Sequence, residues 1–176
     1  MLLLLPKKSA IRFFAQACLL ACPGAFAAAA DQPVSIPMQG GKQLLIGQDQ
    51  QYMLEAAKKV MKHDLAGALP LYDQAIHGNP ANIEAYIQRS VVKRELRDAE
   101  GSSADAAMAL RLSDAAIARS PADPMLYYQR GTGYRLLKDF AKARENIRYA
   151  MQISAGQHSD WETDLRAIDL EEKMSQ

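Results

Sequence analysis

The chain repeats itself with a period of 34 residues. One column of aromatic residues, separated by 34, 41 and 34 positions, comprises Tyr52, Tyr86, Tyr127 and Trp161. Two columns of alanines share the intervals of 41 and 34, namely Ala68, Ala109, Ala143 and Ala75, Ala116, Ala150. A period of this length indicates stacked supersecondary units, none of which buries its apolar face alone. The interval of 41 contains seven extra residues, and we place this insertion in Arg97–Ser103.

Each unit is predicted to be a helical hairpin, because its small and apolar residues recur at helical spacing and prolines close the first two units. In the first unit, Asp49 is the expected cap of a helix that runs to about Lys62. A turn at His63 and Asp64 then leads to a second helix, which ends near Pro80.

The second and third units are predicted in the same way. Asn82 and Ser103 are the expected caps of helices over about 83–98 and 104–119. Asp123 is the expected cap of a helix that runs to about Leu137, and Phe140–Ile153 forms its partner. A single helix, His158–Lys173, is expected at the end, and its many acidic residues suit a terminal cap with a polar outer face.

The spacing of these residues resembles the tetratricopeptide (TPR) repeat. The residues that carry the resemblance are Ala56, Ala68, Tyr72, Ala75, Pro80, Gly131, Ala143, Ile147 and Ala150, together with the stretch Tyr127–Tyr134. The middle unit departs from the pattern with Ser90, Ser113 and the insertion, and the third unit has Ala155 where a proline is usual. The resemblance implies an all-α, right-handed α-solenoid over about 49–174, made of three TPR-like hairpins (49–82, 83–123, 124–157) and a C-terminal capping helix (158–174).

Residues 1–30 are expected to be a secretory signal peptide, because basic residues precede an apolar stretch and then small residues. Cleavage is expected after Ala27 or Ala30, which predicts an exported, periplasmic bacterial protein. A retained membrane anchor is the first alternative, since Phe13–Ala30 is an uncharged run of 18 residues. The second is a lipoprotein, because Leu19–Cys22 partly resembles a lipobox and would be lipidated at Cys22.

Residues 31–48 are expected to form a flexible tether, since prolines and glycines interrupt any periodicity. Its apolar triplet, Leu44, Leu45 and Ile46, is expected to pack on the repeat domain. The alternative is that the triplet binds a partner as a short strand.

The charge balance argues against nucleic acid as a partner, and the lack of catalytic motifs argues against enzymatic activity. The sequence has 21 Lys and Arg and 20 Asp and Glu, and three of the basic residues precede residue 31, so the remainder carries 18 positive and 20 negative charges. This balance lacks the basic excess that phosphate binding needs. His63, His77 and His158 do not have the spacing of metal ligands, and no nucleotide or nucleophile motif is present, so we expect no cofactor, metal or enzymatic activity.

The resemblance to TPR domains implies that a peptide or protein segment binds in a concave groove lined by the first helix of each hairpin. The expected lining is Met53, Ala57, Ile87, Gln88, Val91, Arg94, Met125, Tyr128, Thr132, Arg135 and Arg166. The Lys, Asn and Arg clamp for an acidic C-terminus that some TPR domains carry is absent from the matching positions. The three arginines suit a segment that carries acids, or else they pair with Glu84, Glu95 and Glu162. Self-association through an uncovered repeat edge is a further expectation.

Overall fold

The structure is a computed structural model of the chain, and it describes residues 35–37, 43–45, 47–155, 158 and 160–175. Two short strands, β1 (Ser35–Pro37) and β2 (Gln43–Leu45), pair in antiparallel register, with Ser35 opposite Leu45. The helices that follow are α1 (Gln48–Met61), α2 (Leu65–Gly78), α3 (Ile83–Glu95), α4 (Ala99–Arg119), α5 (Pro124–Leu136), α6 (Phe140–Ile153) and α7 (Trp161–Met174). They form three hairpins and a final single helix, which confirms the predicted all-α repeat fold.

The three hairpin turns share one geometry. His63, Arg97 and Lys138 adopt a left-handed backbone conformation, with φ of 59°, 67° and 61°. An aspartate follows each of them and caps the next helix: Asp64 accepts from the Gly67 N–H at 2.9 Å, and Asp98 from the Gly101 N–H at 2.8 Å. Asp139 accepts from the Lys142 N–H at 3.2 Å. The caps satisfy N–H groups that a helix start leaves without a partner.

Two predicted caps are wrong, whereas Asn82 and Asp123 are confirmed as caps. Helix α1 begins after Gly47, and the Asp49 carboxylate instead accepts hydrogen bonds from the side-chain amides of Asn79 and Asn82 at 3.2 and 3.3 Å. Asp49 therefore joins the start of α1 to the loop before α3. Ser103 lies inside α4, where its hydroxyl donates to the Ala99 carbonyl at 2.9 Å.

The predicted tether also differs in part from the structure, because β1 and β2 lie within 31–48. Leu44 and Leu45 belong to β2, which pairs with β1. The third residue of the apolar triplet, Ile46, and the signal-peptide interval 1–30 lie outside the described residues.

The seven inserted residues lengthen a helix and do not form a separate segment at Arg97–Ser103. Helix α4 has 21 residues, whereas α2 and α6 have 14 each. Counted from the capping aspartates, Ser102 and not Ala109 matches Ala68 and Ala143. Seven residues make almost two helical turns, so Ala109 shares the face of Ser102 and is also fully buried. The insertion therefore extends α4 alone by about 10 Å, without turning its apolar face away from the core, since α3 has 13 residues like α5.

Small residues let the two helices of each hairpin approach closely. Most alanines of the two repeat columns, and Ala56, are fully buried: Ala68, Ala75, Ala109, Ala143 and Ala150. Ala116 is partly buried. A Cβ atom on Gly131 would lie only 2.7 Å from Cγ1 of Ile147 and 3.1 Å from the Ala143 carbonyl oxygen. In the second hairpin, the Ser90 hydroxyl donates to the Ser102 carbonyl at 2.8 Å, which satisfies a buried polar group at the same crossing.

Two arginines join successive hairpins. Arg89 of α3 forms an ion pair with Asp73 of α2 at 2.6 Å, and it donates to both oxygens of Asp105 of α4 at 2.9 and 2.6 Å. Lys93 pairs with the same buried Asp105 at 2.8 Å.

The arrangement recurs 41 residues later. Arg130 of α5 pairs with Asp114 of α4 at 2.9 Å and donates to Oδ1 of Asn146 at 2.7 Å. Each arginine lies over a tyrosine ring three residues earlier, Tyr86 or Tyr127, with its guanidinium carbon 5.5 or 5.2 Å from the ring centroid. Ion pairs and cation–π contacts thus accompany apolar packing at both interfaces.

The crossings of small residues generate a stability prediction. Replacing Ala143 or Ala75 by leucine should lower the free energy of unfolding by about 1–3 kcal/mol, because the added side chain overpacks a helix crossing. Denaturant titration of residues 31–176 measures the change. The matched control is Ala141→Leu, which adds the same atoms at an exposed position of α6. If the Ala143 and Ala75 variants unfolded at the same denaturant concentration as the parent, the repeat register given above would be wrong.

Candidate functional site

The predicted groove residues lie along the first helices α1, α3 and α5, with Arg166 on α7, and we call the surface that they form the groove face. At the C-terminal end of this face, Tyr128 of α5 contacts α7. The Tyr128 ring stacks on Trp161 of α7, with centroids 4.6 Å apart and planes at 11°. The His158 ring also stacks on Trp161, with centroids 4.1 Å apart. The Tyr128 hydroxyl donates to Asp164 at 2.9 Å. Burial is the main cause that raises the pKa of Tyr128 above its ordinary value, and this hydrogen bond is the second.

Arg135 is held by acidic residues of α7. Its guanidinium donates to both oxygens of Glu171, at 3.0 and 2.6 Å, and its Nη1 lies 3.6 Å from Oδ1 of Asp164. The hydrogen bonds from Arg135 lower the pKa of Glu171 below its ordinary value, and the positive charge of Arg94 contributes to the same effect. Arg135 thus pairs within the chain, as one of the two hypotheses proposed, although its partner is Glu171 and not one of the predicted glutamates.

The other two arginines of the groove face differ from Arg135 in their exposure. Arg166 pairs with Glu162 at 3.0 Å, as the pairing hypothesis predicts, but both side chains are exposed. Arg94 is exposed, and its positive charge helps to lower the pKa of Glu171. An exposed pair such as Arg166–Glu162 contributes only about 0–1 kcal/mol, so Arg94 and Arg166 are accessible to a partner's carboxylates at little cost.

Several predicted groove residues are less accessible than the sequence suggested. Ile87 is only 3% exposed and packs in the core with Ala106, Ala109 and Leu136. Two others are engaged in hydrogen bonds: the Gln88 amide donates to Glu84 at 2.5 Å, and the Thr132 hydroxyl donates to the Tyr128 carbonyl at 3.1 Å.

Met53 and Val91 are partly buried against the core, while Met125 is 40% exposed. The exposed members of the predicted set are therefore Ala57, Arg94, Met125 and Arg166.

Two apolar residues of the groove face were missed from the sequence. Leu54 is 50% exposed and Met61 is 73% exposed. With Ala57 they stand at positions i, i+3 and i+7 of α1, so all three share one stripe of the helix. The repeat period offered a signal, because Leu54 precedes the predicted groove residue Gln88 by one period of 34. Met61 and Leu54 add an accessible apolar patch to the first hairpin.

No group of three or more His, Cys, Asp and Glu that could hold a metal ion occurs among residues 35–37, 43–45, 47–155, 158 and 160–175. His63 lies in the first hairpin turn and His77 in the last turn of α2, as predicted. Within the same residues, no helix combines the length and apolar character that membrane crossing requires. Cys22 lies outside them.

Comparison with known proteins identifies the fold. No protein-family model and no curated protein matches the chain. Among solved structures, the Sgt2 TPR domain from Aspergillus fumigatus aligns with a TM-score of 0.50 at 16% identity, over 74% of this chain and 82% of that one. The TPR2B domain of yeast Sti1 aligns at 0.49 and 18% identity (73% and 98% covered), and the first TPR domain of human RPAP3 at 0.49 and 15% (70% and 91%). The chain therefore has the fold of a tetratricopeptide repeat domain.

Proposed function

We propose that this chain is a non-catalytic protein-interaction module of the bacterial cell envelope. It binds a segment of another protein on the groove face, at the apolar stripe of α1 and at the exposed Arg94 and Met125. The segment carries apolar anchors for the stripe and a carboxylate for Arg94.

The observation that carries this proposal is the exposed stripe of Leu54, Ala57 and Met61. A half-exposed leucine and a largely exposed methionine on one helix face lose contact with water when a partner covers them. Apolar residues at i, i+3 and i+7 are the pattern by which one face of a helix packs against a partner. The fold supports the same location, since the stripe lies on the face that TPR domains use as a groove.

Arg94 is a better target on this surface than Arg135. An Arg135→Glu change would place a negative charge beside Glu171 and Asp164, and the repulsion would disturb the contact with α7. Arg94 is exposed, and its removal breaks no ion pair between described residues. A change at Arg94 therefore tests binding with little effect on folding.

Site-specific photo-crosslinking in bacterial cells tests the proposal. A photoreactive residue at Met61 or Met125 should form an adduct with one partner protein. The same residue at Ala118, an exposed position of α4, is the control and should not form that adduct. Leu54→Glu combined with Arg94→Glu should reduce the adduct about tenfold or more, because it removes an apolar contact and an attractive charge.

The matched control for charge is Arg111→Glu, an identical change at an exposed position of α4. It should leave the adduct at Met61 unchanged. Equal adduct formation from Met61 and Ala118, or none from Met61 and Met125, would contradict the groove as the binding surface.

The alternative function is that of a membrane-anchored assembly factor, held by a lipid on Cys22. The observation that favours it is the lipobox-like Leu19–Cys22. Under the main proposal, the mature chain begins at residue 28 or 31. It then has no cysteine, because Cys18 and Cys22 are the only two in the sequence. The intact mass of the chain purified from cells decides between them: a chain that starts at Cys22 with a lipid-sized increment would establish the alternative.

A further inference from the structure

A second surface of the third hairpin, which we call the tyrosine cleft, has the properties of a binding site. It has a volume of about 370 Å³ and is lined by Tyr127, Arg130, Tyr134, Asn146 and Tyr149, with Lys142 and Glu145 at the same opening. The Tyr127 and Tyr149 rings meet edge to face, with centroids 4.6 Å apart and planes at 63°. Tyr149 keeps 42% of its surface exposed, so part of this aromatic wall is accessible from solvent.

The second hairpin has different chemistry at the same repeat positions. Lys93, Asp105 and Met108 precede Tyr134, Asn146 and Tyr149 by 41 residues each. There the Lys93 ammonium pairs with the buried Asp105 at 2.8 Å. The third hairpin replaces this ion pair and the methionine with two tyrosines and an amide. Packing of the fold does not require aromatic residues at these positions, because the second hairpin forms without them.

The charges around the cleft argue against a small ionic ligand. Arg130 pairs with Asp114 at 2.9 Å, and Lys142 pairs with Asp139 at 2.8 Å, so both cations are already neutralised. These two cations also lie over the tyrosine rings, each 5.2 Å from the centroid of Tyr127 or Tyr134. A small cationic ligand would meet the positive charges of these two residues, and an anionic one would meet no unpaired cation of the cleft. A neutral ligand with flat apolar surfaces remains.

The spacing of the tyrosines fits an extended proline-rich segment. Tyr127 and Tyr134 are seven residues apart on α5, so their positions are separated by about 10.5 Å along the helix axis. A polyproline II helix advances about 9.3 Å in each turn of three residues, so prolines one turn apart meet rings at nearly this interval. The backbone carbonyls of such a segment make no internal hydrogen bonds and accept from hydroxyl groups such as that of Tyr149. Aromatic-lined grooves bind proline-rich segments in this way.

The tyrosine cleft is separate from the groove face. At 3.6 residues per turn, Tyr127, Arg130 and Tyr134 lie about 150° around α5 from Met125, Tyr128 and Arg135. A segment bound in the cleft therefore leaves the groove face accessible.

From this geometry we propose that the tyrosine cleft binds a proline-rich, polyproline II segment of a second partner protein, on the opposite side of α5 from the groove. The probe is a synthetic peptide of repeated Pro-Pro-Gln triplets, and the control peptide has Gly-Ser-Gln triplets. Calorimetric titration of residues 31–176 should show binding of the proline-rich peptide and none of the control.

The test variant is Tyr134→Lys combined with Tyr149→Met, which introduces the residues that the second hairpin carries at these positions. It should weaken the proline-rich peptide about tenfold or more, because two aromatic contacts are lost. Tyr149→Met alone should weaken binding of the proline-rich peptide to a smaller extent. This single variant replaces the double variant in the test if circular dichroism shows that the double variant is unfolded. Leu54→Glu on the groove face should leave this affinity unchanged, so a failure here is distinguishable from a failure of the proposed groove. No binding of the proline-rich peptide by the parent, or equal binding by parent and the Tyr134/Tyr149 variant, would overturn the inference.

Discussion

Arg89 connects three helices of two hairpins, and the stack depends on contacts of this kind. It pairs with Asp73 of α2 and with Asp105 of α4, while its own backbone belongs to α3. Asp105 is 4% exposed, so its charge is stable in the fold only because Arg89 and Lys93 both donate to it. A helical hairpin cannot bury its apolar face without a neighbour, and the arginine fixes where that neighbour lies. Arg130 has the corresponding role one interface later.

Much of the fold could be predicted from the sequence because the repeat period is carried by buried small residues. The close crossing at Gly131 and Ala143 tolerates no larger side chain, so the spacing of such residues shows where helices meet. The turns at His63–Asp64 and Lys138–Asp139 could be predicted, whereas in the second hairpin Ser103 was predicted as the cap and the structure has Asp98. The insertion was misplaced because seven residues can be added either as a loop or as two helical turns. Sequence spacing alone is the same in both cases, whereas the cap at Asp98 decides for the helix.

The candidate site was less predictable, for two physical reasons. The repeat pattern assigns a helix position to the groove but does not show how deeply its neighbours bury it, and Ile87 is buried among Ala106 and Ala109 of α4 and Leu136 of α5. Ion pairing was the second reason, because the sequence does not specify which acid an arginine contacts. Arg135 pairs with Glu171, 36 residues away on α7. The pairs of Arg89 and Arg130 follow the interval of 41. Charged residues at a repeat spacing are usually solvated, so the interval alone does not identify an interface contact.

The arginine contacts hold the hairpins in register, most strongly at Arg89. Equilibrium unfolding of Arg89→Met and Arg130→Met variants of residues 31–176 measures what each contact contributes. We expect Arg89→Met to cost about 1.5–3 kcal/mol, because the buried Asp105 loses two charge-assisted hydrogen bonds and keeps only Lys93. Arg130→Met should cost clearly less, about 1 kcal/mol, because its partners are a neutral amide and the exposed Asp114. Equal costs for the two variants, or a cost under about 1 kcal/mol for Arg89→Met, would contradict the account.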